Sequence, residues 1–198
     1  MNFTAPRTIN RGMELTDIQL MYLVKDGDDA AFESLLQRHQ NKLINFFYRL
    51  CWNSALAEDM AQETFLKIYV AREGYEVKSK FTTYLYRIGR NLWIDHVRKI
   101  TRRPKSVSLN SVSYEEMKFS DTIAYEDHGN ERFEQVDEKM KNVMHAVDKL
   151  PLLQRELFAM VNVEGMKYKD IGSILDIPVG TVKTRMHTMM KKLRADLA

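Results

Sequence analysis

Apolar residues recur at helical spacing through most of this chain, and no stretch alternates apolar with polar residues as a half-buried strand would. Phe32, Leu35, Leu36, Leu43, Phe46 and Phe47 follow one another at intervals of three, four and seven. Leu20, Leu23 and Val24 precede them, across a break at Asp26-Gly27-Asp28. Residues so spaced lie on one stripe of a helix, and a stripe buries itself against other stripes. The expected fold class is therefore all-α.

"SALAEDMAQETFLKIYVAR" predicts a helix with Ser54 as its N-cap and Gly74 as its stop. "KFTTYLYRIGRNLWIDHVRK" predicts another, ending before Pro104. From about Thr101 to Glu131 the periodicity vanishes, and Ser, Asp and Glu dominate. A second helical block starts near Glu134. The expected organisation is two small helical domains joined by an acidic flexible linker. The boundaries are an N-terminal extension over 1–14, a first domain over 15–100, the linker over 101–138 and a second domain over 139–198.

Net charge is only +3, but it is unevenly placed. Arg87 to Lys105 holds seven Lys or Arg and one acid, Asp95. Ser111 to Glu138 holds nine acids against Lys118 and Arg132. Val179 to Arg194 holds five basic residues and no acid. Two basic segments flanking an acidic one point to nucleic acid more strongly than the total charge does. A solvated face is the alternative for any single run.

Other classes fare worse. The single cysteine, Cys51, excludes internal disulfides and argues against a thiolate zinc site. Its apolar setting, "FFYRLCW", suits a buried thiol rather than a nucleophile. No glycine-rich phosphate loop, HExxH or G-x-S-x-G is present, and His39, His96, His128, His145 and His187 are scattered. The expectation is a non-enzyme with no metal and no cofactor. No segment is long and apolar enough to insert in a membrane, and "MNFTAPRTINRGMELTD" has no signal-peptide core, so a cytoplasmic location is expected.

The last forty-odd residues carry the most specific pattern. Pro151 suits the first turn of a helix that ends at Glu164-Gly165. Tyr168 to Leu175 forms a short helix with Ile171, Ile174 and Leu175 inward. Asp176-Ile177-Pro178 makes a tight connection, and Thr181 can open the next helix. There Val182, Met186, Met189 and Leu193 form a narrow apolar stripe. Thr184, His187 and Lys191 lie opposite, with Lys183, Thr188 and Arg194 beside them. This is a helix-turn-helix whose second helix suits the major groove. A helical hairpin without DNA is the alternative.

"YKDIGSILDIPVGTVKTRMHTMMKKLR" resembles the C-terminal DNA-reading region of bacterial sigma factors, in the small extracytoplasmic-function group of the sigma-70 family. "LPLLQRELFAM" resembles the helix before it, and "PVGTVKTR" is the most specific part. Independently, "AEDMAQETFLKIYV" resembles that family's polymerase-binding helix, and "KFTTYLYRIGRNLWIDHVRK" its promoter-melting helix. The motifs occur in the family's order and cover about residues 15–100 and 139–198.

The resemblance implies a transcription initiation factor that directs core RNA polymerase to promoters. By position, Asp59, Gln62 and Glu63 would meet the clamp of the polymerase's largest subunit, with the flap as a further contact. Lys78, Ser79, Lys80, Tyr84, Arg87, Asn91 and Arg98 would melt and read the downstream (−10) element as single strand. Tyr86 and Trp93 flank that face and are expected to be core for the most part. Lys183, Thr184 and His187, with Thr188 beside them, would read the upstream (−35) element as duplex. Arg185, Lys191 and Lys192 would hold phosphates and set register. The family usually has Trp where Tyr84 stands, and often at Tyr69. The acidic linker would thread the polymerase cleft, as a mimic of nucleic-acid charge or as an extended spacer. An anti-sigma factor or another recruiting protein is a further implied partner. A stand-alone helix-turn-helix regulator would account for the last helices but not for "AEDMAQETF" or the aromatic and basic helix.

Overall fold

The computed structural model describes residues 15–101, 142–143, 145–147, 149–163 and 165–197, and among these there is helix and no strand. The N-terminal extension and nearly all of the acidic linker, including its nine acids, lie outside the described residues.

Four helices build the first unit. In α1 (Asp17–Lys25), Thr16 and Gln19 cap each other reciprocally, the Gln19 amide donating to Thr16 Oγ1 and the Thr16 amide to Gln19 Oε1. The turn at Gly27 leads into α2 (Asp29–Cys51), where the Asp28 carboxylate accepts from the Ala31 amide at 3.1 Å. The expected stripe of α2 is buried: Leu35, Leu43, Phe46 and Phe47 are closed to solvent. Each such side chain contributes roughly 1.5–3 kcal/mol relative to exposure. The third helix, α3 (Ser54–Val70), starts one residue earlier than the Ser54 cap predicts. Asn53 is the cap, its side-chain oxygen accepting from the Leu56 amide at 2.9 Å, so Ser54 is already inside the helix. A single 3₁₀ turn, Arg72–Gly74, ends this hairpin.

The fourth helix, α4 (Phe81–Thr101), packs Phe81, Leu85 and Leu92 into the core, with Ile88 half-buried beside them. Tyr86 and Trp93 are core residues as well. Tyr86 meets Phe46 edge-on at 5.1 Å, and Trp93 is fully enclosed and stacked on His96. Cys51 is buried, and desolvation pushes its thiol up to about 11, so it stays protonated and inert at neutral pH.

The second unit is α5 (Leu152–Phe158), α6 (Tyr168–Leu175) and α7 (Val179–Asp196). The Pro151 carbonyl accepts the first amides of α5, from Gln154 and Arg155. A π-helical turn, Ala159–Val163, extends α5 before Gly165, at φ 61°, reverses the chain. Helices α6 and α7 meet through Asp176, at φ 56°. Gly172 makes that turn possible: a Cβ there would sit 2.9 Å from the Ile177 carbonyl oxygen. The last helix opens at Val179 rather than Thr181, because the Pro178 carbonyl already accepts from the Val182 amide at 3.1 Å.

The two units, expected as domains at the ends of a tether, are docked. Helix α5 and its π turn lie against α2, and α6 lies against α4. Among the described residues, no helix is long and apolar enough to cross a membrane.

Candidate nucleic-acid and polymerase interface

Three helix faces carry the residues singled out in the sequence. On α7, Val182, Met186, Met189 and Leu193 are buried, as their spacing requires. That fixes the rotation of the helix. Lys183, Thr184, His187, Thr188, Lys191 and Lys192 are exposed on the other side. Arg185 is half-buried, so its guanidinium is less available to a phosphate than the expectation assumed. An open groove of about 410 Å³ runs along this face, lined by Tyr168, Lys183, Met186, His187, Met190, Lys191 and Arg194. The Thr184 hydroxyl donates to the Gly180 carbonyl at 3.1 Å, which orients its methyl and oxygen on the helix surface. No acid lies on α7 before Asp196, so the face is cationic throughout.

On α4, Arg87, Asn91 and Arg98 share an exposed face opposite the core stripe. That face is not open along its whole length. The Arg87 guanidinium donates to the Ser173 backbone carbonyl of α6, and Lys80 pairs with Asp170 at 2.7 Å. Arg98 lies 3.9 Å from Asp95, both well exposed, a contact of little energetic weight. In the loop before α4, Lys78 pairs with Glu76 at 2.8 Å, and this hydrogen bond holds the Glu76 carboxyl below its ordinary range. Ser79 donates to the Lys80 carbonyl at 3.3 Å. Tyr84 is half-buried, edge-on to Tyr75 at 5.3 Å, and burial pushes its phenol up. Tyr75 also meets Tyr22, at 6.2 Å, so the rings of Tyr22, Tyr75 and Tyr84 pack in a row. Tyr69 is tied down differently: its hydroxyl donates to Asp29 at 2.8 Å, and Arg72 lies over its ring.

On α3, Asp59, Gln62 and Glu63 are exposed on one face, and Leu66 and Val70 continue it, 60% and 71% exposed. The sequence reading passed over these two. Their signal was present, since spacings of three, four and seven from Asp59, Gln62 and Glu63 put them on the same face.

Among the described residues, no cluster of His, Cys, Asp or Glu could hold a metal ion. The residues singled out lie on three exposed surfaces: a cationic face of α7, a basic and aromatic face of α4, and an acidic and apolar face of α3.

Known proteins share these elements in the same order. Residues 35–103 match Sigma-70 region 2, and residues 140–193 match Sigma-70 region 4. The ECF RNA polymerase sigma factor SigW of Bacillus subtilis is 32% identical over 192 residues, spanning 93% of this chain and 98% of that protein. CnrH, solved in complex with the cytosolic domain of CnrY, shares the fold with a TM-score of 0.65 at 21% identity, over 91% of this chain and 95% of that one. The sigma factor RpoE of Bartonella quintana, solved with the anti-sigma factor NepR, superposes with a TM-score of 0.62 at 24% identity, over 84% of this chain and 96% of that one. With region 2 carried on α2 to α4, region 4 on α5 to α7, and a full-length relative above 30% identity, the chain belongs to the extracytoplasmic-function group of the sigma-70 family of RNA polymerase sigma factors.

Proposed function

We propose a division of labour among the three faces of this promoter-directing factor. Asp59, Gln62 and Glu63 dock core RNA polymerase, and Leu66 and Val70 supply the apolar part of the same contact. Lys78, Ser79, Lys80, Tyr84, Arg87, Asn91 and Arg98 engage the −10 element once its strands part. Cations hold the phosphates, and the half-exposed Tyr84 ring offers a stacking surface worth about 1–3 kcal/mol per base. Lys183, Thr184, His187 and Thr188 read the −35 duplex, while Lys191 and Lys192, and to a smaller degree Arg185, hold phosphates. The observation that carries the reading is the rotation of α7, whose buried stripe turns those polar and basic residues outward together. The protein acts by binding and catalyses nothing itself, in the cytoplasm, where polymerase and promoter meet. An anti-sigma factor, as in the RpoE complex, is a further partner consistent with this reading.

Run-off transcription on a promoter library, with core polymerase in the presence and absence of the protein, tests it. Defined start sites that depend on the protein are expected. Tight, salt-sensitive DNA binding by the protein alone, without any stimulation of polymerase, would favour a stand-alone regulator instead.

A further inference from the structure

Met190 of α7 belongs neither to the buried stripe nor to the polar face. It lies outside the set of Val182, Met186, Met189 and Leu193 and is half-buried. Part of it packs on the apolar core, as does part of the half-buried Tyr168 ring of α6. Both also line the open groove of about 410 Å³, together with Met186. Lys183, His187 and Arg194 line the same groove and, with Met190, recur at intervals of four, three and four. That spacing is one stripe of helix. The groove therefore sets apolar side chains among exposed basic ones.

Phosphates call for cations, and most of what a base edge presents calls for hydrogen-bond donors and acceptors. Neither calls for a thioether. The major groove of a duplex does present one apolar group, the C5-methyl of thymine. Methionine suits such a group, because its flexible, polarizable side chain adapts to irregular apolar gaps. The surroundings suit an anionic duplex, since α7 carries no acid before Asp196. Thr184, whose methyl is the competing apolar group on the exposed face, lies outside the lining of the groove.

We infer that Met190 is a specificity-determining residue for the −35 element: with Met186 and Tyr168 it receives the C5-methyl of one thymine, while Lys183 and His187 beside it meet polar groups of the duplex. This rests on the proposed function, because it takes α7 as the helix that enters the −35 duplex, and it adds a thymine to what that helix must find. The contact favours thymine over cytosine at its position, since cytosine has no methyl there. It is also separable from every hydrogen bond, because thymine and uracil differ in that methyl alone.

The test uses the full chain assembled with core polymerase, on a promoter that run-off transcription defines. Each thymine of the −35 element, on either strand, is replaced in turn by deoxyuridine, which removes the methyl and leaves base pairing intact. Promoter affinity is measured by competition at fixed salt. At one thymine the wild type should lose affinity about fourfold, the weight of one buried methyl group. Met190→Gln, of similar length but polar at its end, should bind the thymine and deoxyuridine promoters alike, whereas Met190→Leu should still distinguish them. Circular dichroism confirms helix content in both variants, and the scan with the wild type needs no variant. If no thymine responds, the apolar lining serves another occupant, a deoxyribose or a side chain of a partner protein, and the inference is overturned. A response that persists in Met190→Gln, or that vanishes in Thr184→Ser instead, overturns it as well. Absence of protein-dependent start sites would sink the initiation-factor reading itself, a result distinct from transcription that proceeds without sensitivity to the methyl.

Discussion

Gly172 is the residue on which the helix-turn-helix depends most tightly. Asp176 can adopt its left-handed conformation only if the chain folds back onto α6, and there the Ile177 amide donates to the Gly172 carbonyl at 3.0 Å. A methyl at Gly172 would press on the Ile177 carbonyl oxygen, which is backbone and cannot rotate away. Alanine is ordinarily the better helix former by about 1 kcal/mol. Here the clash should outweigh that gain: Gly172→Ala is expected to destabilise the second unit by about 1–3 kcal/mol. Urea unfolding, followed by helix content, measures it; a gain in stability would mean that the turn relaxes freely. Charged residues divide just as sharply by setting. Lys78 and Glu76 pair in full solvent and contribute little, whereas Glu156 and Arg90 pair out of water.

Under the proposed function, the element that decides specificity is α7. Its stripe of Val182, Met186, Met189 and Leu193 locks the rotation of the helix, so substitutions on the opposite face can be read as changes of surface alone. Base-reading and phosphate-holding residues should then separate in the same assay. Thr184→Ala or His187→Ala should change promoter preference, because a good base-edge contact discriminates by about 1–3 kcal/mol. Lys191→Ala should weaken every promoter alike and reduce the salt dependence of binding. Transcription across a promoter library distinguishes them, and uniform losses in all three would refute the division. This face was readable from the sequence because a helix with one buried stripe leaves only one way to turn. The start of α3 was not readable to the residue, since Asn53 and Ser54 are both good caps and only the backbone extended at Asn53 chooses between them. Leu66 and Val70 were missed because apolar residues in a helix are read first as core, and only the packing of α3 on α2 and α4 leaves these two outside.

Over the whole molecule, one apolar cluster runs from α1 to α7 through the seam between the units. Two coupled units should unfold together. Heating the wild type is therefore expected to give a single transition. Glu156→Gln replaces the buried carboxylate beside Arg90 with a neutral amide, and breaking a buried pair costs about 3–5 kcal/mol. That loss falls on the seam, and the two units should then melt in separate steps. Scanning calorimetry would show it; one unsplit transition in the variant would mean that the apolar contacts alone couple the units.

The sequence by itself determined the all-α class, the boundaries of the helix-turn-helix to within two residues, the buried stripe of α7 and the family to which the chain belongs. Each of these is local: periodicity, caps and motifs are written within a turn or two of helix. Only the tertiary structure decided that the two units dock, that Arg155 and Glu156 are core rather than surface, and that Lys80 and Arg87 face α6. Arg90 and Glu156 are 66 residues apart, and Lys80 and Asp170 are 90 apart. Nothing local marks them as partners. Helical spacing tells a residue that it will be buried, but what it is buried against depends on how complete surfaces fit, and two charged side chains leave water only when those surfaces close around both.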